Sequence, residues 1–390
     1  MYNINTLNKI SKKGLNLIDY SRYSVDGDEA NADAVILRSF KMHGMDLPTG
    51  LKAVARAGAG TNNIPVDEYT GKGIVVFNTP GANANSVKEL VLMSLFISSR
   101  KIIRGVKWTE ELTGKGDEIP KLIEKGKSDF AGSEIKGKTL GIIGLGAIGV
   151  MVANDAASLG MNVIGYDPYI SINAAWGLSR TVQKAESIEA LLSRCDYISL
   201  HMPLNDSTKG FINHERIGMM KKGVKILNFA RGGLVDTKAL KEAISEGIID
   251  RYVTDFPDKD MLGSENIIPI PHLGASTPEA EENCAIMAVN QVVNFLETGN
   301  IKNSVNFPDC EMEMNSETRI IIGNKNVPNM VGQISSLLAE NSLNIANMLN
   351  KNKGDYAYNL IDIDGPFPEN VKAAIDKIDG VIFTRIIEGK

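Results

Sequence analysis

The stretch TLGIIGLGAIG, residues 139–149, decides the fold of this chain. An apolar strand pattern runs into three spaced glycines, Gly144, Gly146 and Gly149, and a helix pattern follows. In this setting the first glycine permits a tight turn, the second lets the backbone approach a pyrophosphate, and the third lets helix and strand pack closely. The segment therefore predicts a dinucleotide site. An ordinary glycine-rich turn between a strand and a helix is the alternative interpretation of the motif alone.

An acidic residue strengthens the first interpretation. Asp167 ends the next apolar segment, near the spacing of about 20 residues at which a carboxylate can hold the ribose 2′-hydroxyl. The same carboxylate would repel a 2′-phosphate, and the next residues, Pro168 and Tyr169, include no arginine. The pattern therefore favours NAD over NADP as the cofactor.

On both sides of the motif, short β-branched runs alternate with helix-length amphipathic stretches, which is the pattern of a parallel sheet covered by helices. We expect an α/β protein with two doubly wound domains, Rossmann-like and flavodoxin-like. A long helix over residues 86–105 is expected between them, and residues 108–133 have the polar composition of a surface excursion. The predicted strands are residues 15–20, 34–39, 53–58, 75–79, 139–144, 162–167, 197–201, 225–230 and 252–256.

The order of the elements changes after Pro308. An acidic segment, residues 309–317, leads to strand 318–323, helix 331–340, a strand near Ile345, strand 356–364, helix 369–378 and strand 381–387. This βαββαβ order predicts a ferredoxin-like domain, too small for a second catalytic domain.

Two later segments end predicted strands at the sheet edge where doubly wound folds bind ligands. In NFARGGLVD, residues 228–236, Arg231 precedes two glycines and could grip a carboxylate with two parallel hydrogen bonds. In PHLGAST, residues 271–277, His272 could take a hydroxyl proton as a hydride departs. Taken singly, Arg231 could equally be a surface ion-pair residue and His272 a capping or core histidine. Their occurrence together, after the glycine motif and Asp167, favours catalysis.

The bulk composition excludes several classes of function. With 42 Lys plus Arg against 47 Asp plus Glu, the formal charge is -5, and no basic stripe favours nucleic acid. The sequence shows neither the apolar core of a signal peptide nor the ~18 apolar residues of a membrane helix, so we expect a cytoplasmic protein. Its 3 cysteines lack metal-ligand spacing and are expected to be reduced, with no metal site.

The chain resembles the D-2-hydroxyacid dehydrogenase family over nearly its whole length. The resemblance is carried by segments 56–63 (RAGAGTNN), 78–80 (NTP), 144–149, 166–168 (YDP), 201–203 (HMP), 229–236 and 272–277. It implies a substrate-binding domain of residues 1–92 and 282–308, an NAD-binding domain of residues 93–281, a linker of residues 309–317 and a regulatory domain of residues 318–390. It also implies a homodimer through the cofactor domain, or a homotetramer.

The resemblance also implies roles for individual residues. Arg231 would bind the substrate carboxylate and C2 oxygen, His272 would be the general acid/base, and Asp255 would hold the nicotinamide carboxamide. The remaining cofactor contacts would come from Thr79, Gly144, Gly146, Ala147, Ile148, Gly149, Asp167, His201, Met202, Pro203, Ala230, Gly274 and Ala275. The substrate would also face Arg56, Ala57 and Gly58.

One departure concerns the partner of the histidine. Members of the family usually carry a Glu after the strand that ends in Asp255, where it orients and stabilises the protonated imidazole. If the segment after Arg231 is aligned with the family without a gap, Asp260 occupies the position of this Glu. If the loop has a different course, Asp258 could occupy that position. Both could instead be solvated loop charges. The sequence therefore leaves the partner of His272 open.

The tail resembles an ACT domain, a small effector-binding module that pairs with a second copy. Its ligand loop would present Asn326, and the following strand Asn344, to an amino acid such as L-serine. Asn329 replaces the usual glycine, and Asn324 a common histidine, so a domain that only dimerises is the alternative. Asparagine tolerates left-handed backbone better than most residues, which favours an intact loop.

The attached tail and Arg56, which could meet a phosphate, favour oxidation of 3-phospho-D-glycerate to 3-phosphooxypyruvate, the entry step of L-serine biosynthesis. The alternative substrates are other small 2-hydroxy acids: glycerate with glyoxylate, lactate or 2-hydroxyglutarate. A non-enzymatic NAD-sensing scaffold is a different class of function that the same fold can serve. Intact Arg231 and His272 argue against the scaffold.

Overall fold

The computed structural model describes residues 1–389, apart from the side chain of Glu29. The chain forms two compact units, one of Ala84–Thr277 and one of Met1–Asn83 together with the chain from Pro278 onward. The junctions differ from the expected boundaries after residues 92 and 281, which would cut through two continuous helices. A helix packs as one body, so the chain changes unit at helix ends.

The first unit begins with a parallel sheet in the order β2-β1-β3-β4-β5, the flavodoxin-like order. Its elements are β1 (Tyr2–Leu7), α1 (Lys12–Leu15), β2 (Tyr23–Val25), a 3₁₀ turn (Glu29–Asn31), β3 (Ala34–Leu37), β4 (Ala53–Arg56), α2 (Val66–Gly71) and β5 (Val75–Phe77). The predicted strand over residues 15–20 is wrong. Ser11 caps α1 by accepting from the Lys13 N–H, and Asp19 accepts from the Ser21 N–H, so these local bonds make a helix and a turn instead.

The second unit is a seven-stranded parallel sheet in the order β12-β11-β10-β9-β6-β7-β8. The sequential order reverses between β6 and β9, where doubly wound sheets bind nucleotides. The predicted long helix is two helices that meet at Arg100 and Lys101. The elements are α3 (Ala84–Ser99), α4 (Ile102–Glu111), α5 (Ile119–Gly126), β6 (Thr139–Ile143), α6 (Ala147–Ser158), β7 (Asn162–Tyr166), α7 (Ile172–Gly177), β8 (Gln183–Lys184), α8 (Ile188–Leu192), β9 (Tyr197–Leu200), α9 (His214–Gly218), β10 (Val224–Asn228), α10 (Thr237–Ser245), β11 (Ile249–Thr254) and β12 (Ile267–Pro269), with 3₁₀ turns at Gly116–Glu118 and Lys127–Phe130.

The chain then returns to the first unit through α11 (Pro278–Thr298) and ends in an antiparallel sheet in the order β14-β15-β13-β16. This tail consists of β13 (Thr318–Lys325), α12 (Met330–Glu340), β14 (Ile345–Lys353), β15 (Tyr356–Ile363), α13 (Glu369–Ile375) and β16 (Val381–Glu388). The arrangement is the ferredoxin-like one expected from the sequence. Two doubly wound sheets and this tail confirm the predicted fold class.

Both faces of β13, a central strand of the tail sheet, are buried, and alternate residues of a strand point to opposite sides. On β13, Ile320 and Ile322 pack with the two tail helices. Ile321 between them belongs to the core formed by α11 and the first sheet, together with Leu360 and Phe295. The predicted linker is also bonded to the chain that follows α11, since Ile301 and Cys310 exchange two backbone hydrogen bonds of 2.8 Å. The tail is thus packed onto the rest of its unit.

No helix within residues 1–389 combines the length and hydrophobicity needed to cross a membrane. Within the same range, no group of three or more His, Cys, Asp or Glu side chains is placed to hold a metal ion. The three cysteines are buried and unbridged. Burial raises the pKa of the Cys195 thiol to about 12, which keeps it protonated and unreactive at neutral pH.

Candidate active site

The glycine turn between β6 and α6 has the shape that a dinucleotide requires. Gly144 has φ +95°, and a Cβ there would lie 2.6 Å from the His201 carbonyl oxygen. A Cβ on Gly149 would lie 2.0 Å from the Gly144 carbonyl oxygen, so only glycine lets the helix pack this closely. A Cβ on Gly146, in contrast, would meet nothing within 4 Å. The open side at Gly146, before the exposed Ala147 and half-buried Ile148, is where a pyrophosphate fits.

Asp167 lies directly beyond β7 and beside this turn. Its Oδ2 accepts from the Leu145 N–H at 2.8 Å, and its Oδ1 accepts from the Tyr169 N–H at 2.8 Å. These two bonds fix the carboxylate at the rim of the crevice, next to the open glycine. The glycine turn and this carboxylate therefore fit NAD, because the remaining lone pairs of the carboxylate can accept a hydrogen bond from a ribose hydroxyl.

His201, Met202 and Pro203 follow β9, on the other side of the switch point. The His201 N–H donates to the Ile143 carbonyl at 2.8 Å, and its Nε2 shares a hydrogen bond with the Ser199 hydroxyl at 2.8 Å. Burial lowers the pKa of the His201 imidazole to about 4, so this ring is neutral at physiological pH. Met202 is half-buried and Pro203 exposed, which leaves a largely uncharged wall for a cofactor.

A buried amide organises the loop that carries Arg231. Asn228 is 1% exposed and ends β10. Its Nδ2 donates to the Arg231 carbonyl at 2.9 Å and to the Tyr252 hydroxyl at 3.1 Å, while its Oδ1 accepts from the Ala230 N–H at 3.2 Å. The Arg231 side chain itself is exposed and, among the described residues, donates only to the Ala230 carbonyl, at 2.7 Å. The backbone that carries the guanidinium is therefore fixed, while the remaining N–H donors of the exposed side chain are left for a ligand.

Asp255 organises the loop that carries His272. Its carboxylate is 1% exposed, with Oδ1 accepting from the Leu273 N–H at 2.7 Å and Oδ2 from the Gly274 N–H at 2.8 Å. These bonds hold the backbone directly after His272, whose φ of +54° is rare for a residue with a side chain. The predicted cofactor contact of Asp255 stays a prediction, because the contacts seen are with this loop and not with a ligand.

The structure also shows what surrounds the His272 imidazole. No carboxylate of residues 1–389 forms an ion pair with it. Asp258 accepts from the Thr237 hydroxyl at 2.9 Å, and Asp260 lines a cleft of about 640 Å³ with three lysines, Lys209, Lys238 and Lys241. The neighbour of the imidazole is Phe256, with ring centroids 4.8 Å apart.

The predicted substrate residues lie in the first unit, after β4. Arg56 is half-buried, and its guanidinium donates to the Arg38 carbonyl at 2.9 Å and to the Gly60 carbonyl. The Ala57 N–H donates to the Leu37 carbonyl at 2.7 Å, and the Gly58 carbonyl accepts from the N–H of the buried Thr79 at 3.1 Å. The sequence motifs of residues 56–63 and 78–80 are thus brought together in one loop cluster.

The two predicted effector residues lie at opposite ends of the tail sheet. The Asn326 Nδ2 donates to the Gly354 carbonyl at 3.2 Å, beside the turn between β14 and β15. The Asn344 Nδ2 donates to Asp364 Oδ2 at 3.1 Å, just beyond the far end of β15. A strand of eight residues separates these ends by roughly 25 Å. One small ligand therefore cannot contact both side chains of the same chain.

The other two asparagines of the tail have different roles. Asn329 adopts φ +65° before α12, the left-handed backbone that its position requires. Asn324 is buried, and its Oδ1 accepts from the Asn359 Nδ2 at 2.7 Å, so it does not face a ligand loop. Sequence reasoning also missed Asn228 and Phe256. Asn228 ends the strand before the Arg231 loop, and Phe256 follows β11; this position after a strand is the signal that the sequence offers.

Comparison with known proteins places this site in a family. Residues 92–274 match the model described as D-isomer specific 2-hydroxyacid dehydrogenase, NAD binding domain. The chain is 31% identical over 408 residues to D-3-phosphoglycerate dehydrogenase of Haemophilus influenzae, covering 98% of this chain and 94% of that protein. It is 39% identical over 292 residues to the protein of that name in Methanocaldococcus jannaschii, covering 73% of this chain and 53% of that protein. The chain thus spans about half the length of some relatives it matches.

Solved structures agree in fold. A cofactor(NAD+)-bound 3-phosphoglycerate dehydrogenase of Entamoeba histolytica matches with a TM-score of 0.61 and 28% identity, over 78% of this chain and 98% of that one. A glyoxylate reductase from Paecilomyes thermophila matches with a TM-score of 0.64 and 24% identity, over 78% of this chain and 98% of that one, which shows the fold alone. The chain therefore belongs to the D-isomer-specific 2-hydroxyacid dehydrogenases and carries the NAD-binding domain of that family.

Proposed function

We propose that this protein oxidises 3-phospho-D-glycerate to 3-phosphooxypyruvate with NAD, the first step of L-serine biosynthesis. The observation that carries the proposal is the placement of Arg231 and His272 on loops after β10 and β12, in the same sheet as the glycine turn. The carboxyl ends of parallel strands share one edge, so both loops face the cofactor crevice. Similarity to relatives named D-3-phosphoglycerate dehydrogenase supports the choice of substrate.

In this proposal each reacting side chain has one task. The exposed Arg231 guanidinium binds the substrate carboxylate through two parallel hydrogen bonds and polarises the C2 oxygen. The His272 imidazole accepts the C2 hydroxyl proton while the hydride on C2 leaves. Bound NAD supplies the hydride acceptor. The products are the 2-oxo acid, NADH and a proton on His272, so atoms and electrons balance.

The substrate phosphate is assigned to Arg56, with Ala57 and Gly58 lining the same loop. Two of the hydrogen-bonding groups of Arg56 are directed at the carbonyls of Arg38 and Gly60. This engagement favours, as a second candidate, a 2-hydroxy acid without a phosphate, such as glycerate, lactate or 2-hydroxyglutarate. Both candidate substrates would undergo the same reaction at C2. They differ in the group that C2 carries besides the carboxylate and the hydroxyl.

We further propose a homo-oligomer in which the tails pair and bind L-serine between two copies. Asn326 of one copy and Asn344 of the other would then contact one ligand, since the two ends of a single sheet are too far apart. The cofactor unit would dimerise through α3 and α4, where large apolar side chains are exposed: Met93, Phe96, Ile102, Ile103 and Val106. The cytoplasmic location stays a prediction from the sequence.

The deciding experiment measures NADH formation from NAD with a panel of 2-hydroxy acids, each with and without L-serine. We expect the highest kcat/KM with 3-phospho-D-glycerate and a lower rate when serine is present. The Arg231→Ala and His272→Asn variants should lose most of this rate, with His272→Asn keeping its affinity for NADH. Activity with lactate alone would refute the biosynthetic role, and absence of activity with every acid would favour the scaffold.

A further inference from the structure

The imidazole of His272 rests against an aromatic ring. The Phe256 and His272 ring centroids are 4.8 Å apart and their planes are inclined by 56°. Tilted ring pairs at this separation attract one another and restrict rotation of both side chains. Phe256 is itself half-buried, and its N–H donates to the Thr254 hydroxyl at 3.1 Å, which anchors it to the end of β11. The Phe256 backbone is therefore anchored where its ring can contact the imidazole.

The same phenylalanine reaches the loop that carries Arg231. A Cβ built on Gly232 would lie 3.4 Å from the Cβ of Phe256, so the two residues are close neighbours. Gly232 directly follows Arg231 in the chain. Phe256 thus lies next to the loop that carries Arg231 and in ring contact with His272.

The imidazole has few other restraints. Pro271, His272 and Leu273 are all exposed, so no core packing confines the ring. The loop after Asp255 places Asp258 and Asp260 elsewhere, on the Thr237 hydroxyl and in the lysine-lined cleft. Hydride transfer requires the proton acceptor to sit within hydrogen-bond reach of the C2 hydroxyl, and a freely rotating imidazole would spend most of its time outside that range.

We propose that Phe256 is a positioning residue: its ring holds the His272 imidazole in orientation, in the place that a carboxylate takes in the family pattern. This inference rests on the proposed dehydrogenase function. The ring acts by contact and shape and adds no charge, so Asp258 and Asp260 are not required for the orientation. The reacting groups remain Arg231 and His272.

Kinetics of variants give the first test. Phe256→Ala should lower kcat with 3-phospho-D-glycerate by about 10-fold or more, because small displacements of a reacting group are costly, and should change the KM for NAD less than about 2-fold. Phe256→Leu, which keeps most of the volume, should restore most of kcat. Asp260→Asn is the matched control and should keep kcat within about 2-fold. Unchanged kcat in Phe256→Ala, or a loss of about 10-fold or more in Asp260→Asn, would overturn the proposal.

A measurement on the free protein separates this inference from the proposed function. With 4 histidines in the chain, selective ¹³C labelling gives few imidazole signals, and His272→Asn identifies the one of His272. The Phe256 ring current should displace that signal. Phe256→Leu should move it back, whereas Asp260→Asn should leave it in place. If the chemical shift of the His272 signal is the same in Phe256→Leu as in the parent protein, the ring contact is refuted, even if the enzyme is active. A chain inactive with every acid refutes the function, even if the signal moves.

Discussion

Arg319 and Asp362 form a bidentate ion pair in which neither side chain is exposed, with Nε to Oδ1 at 2.6 Å and Nη2 to Oδ2 at 2.9 Å. The remaining guanidinium hydrogens are also used. They are donated to the carbonyls of Thr298, Met312 and Glu313 and to the Asn300 side chain. The Arg319 guanidinium therefore ties the tail sheet to the end of α11 and to residues 309–317, the segment expected to be a linker.

Removing one partner of this pair should be far more harmful than removing both. Asp362→Asn leaves a buried arginine without its counter-charge, so we expect the free energy of unfolding to fall by about 3–5 kcal/mol. The double variant Arg319→Met with Asp362→Leu should recover much of that loss, because no charge is left buried. Urea denaturation measures both. As a control, Lys372→Ala, at an exposed pair, should cost less than about 0.5 kcal/mol.

The glycine turn offers a matched pair of substitutions. Gly149→Ala places a methyl group 2.0 Å from a carbonyl oxygen and should destabilise the protein by at least about 1–3 kcal/mol. Gly146→Ala meets nothing within 4 Å and should leave stability unchanged, but it should weaken NADH binding at least about 10-fold because it fills the approach of the pyrophosphate. Thermal denaturation and NADH fluorescence titration separate the two effects. Normal NADH affinity in Gly146→Ala would place the pyrophosphate elsewhere.

His201 should make stability depend on pH. Burial lowers its folded-state pKa from 6.5 to about 4, so the unfolded chain binds more protons between these values. Its contribution to stability is complete above pH 6.5 and is lost as the pH falls towards 4, by at most about 3 kcal/mol. His201→Gln should flatten the dependence of unfolding free energy on pH in this window. An equal slope in variant and parent would mean that other groups cause it.

Asn228 should matter for turnover although it touches no reacting atom. Asn228→Ala removes the hydrogen bonds to the Ala230 N–H and the Arg231 carbonyl, so the backbone that carries the guanidinium is no longer fixed. We expect kcat/KM for the hydroxy acid to fall by about 10- to 100-fold, with NADH affinity changed much less. Steady-state kinetics with a parallel NADH titration checks this split. An equal loss in both quantities would show general damage to the unit instead.

The tail predicts complementation between subunits. Because Asn326 and Asn344 lie at opposite ends of one sheet, each single Ala variant should lose inhibition by L-serine. When the two variants are unfolded together and reassembled, mixed oligomers should regain part of the inhibition, since one intact site can form from the two unmutated ends. The measurement is the serine dependence of NADH formation. Inhibition that survives in either single variant would assign the effector to another site.

Much of the fold was predictable because its signals are local. The TLGIIGLGAIG segment, the alternation of strands and helices, and the βαββαβ order of the tail depend on neighbours in sequence. The prediction of a strand over residues 15–20 was wrong because local hydrogen bonds outweighed the apolar pattern. Residues 15–20 are apolar enough for a strand, but the Ser11 cap and the Asp19 turn make other use of their backbone.

The sequence by itself determined the glycine turn, the carboxylate of Asp167 that favours NAD, and the identities of the candidate reacting groups, Arg231 and His272. These follow from residue type and spacing, which fix the available chemistry. Only the tertiary structure decided what surrounds them: Phe256, and no ion-paired carboxylate of residues 1–389, against His272; Asn228 under the Arg231 loop; and a tail held by Arg319 and Asp362. The contacts of Phe256 with His272 and of Arg319 with Asp362 join residues far apart in the chain, so packing and the course of the intervening loops decide them, and no local sequence pattern predicts either.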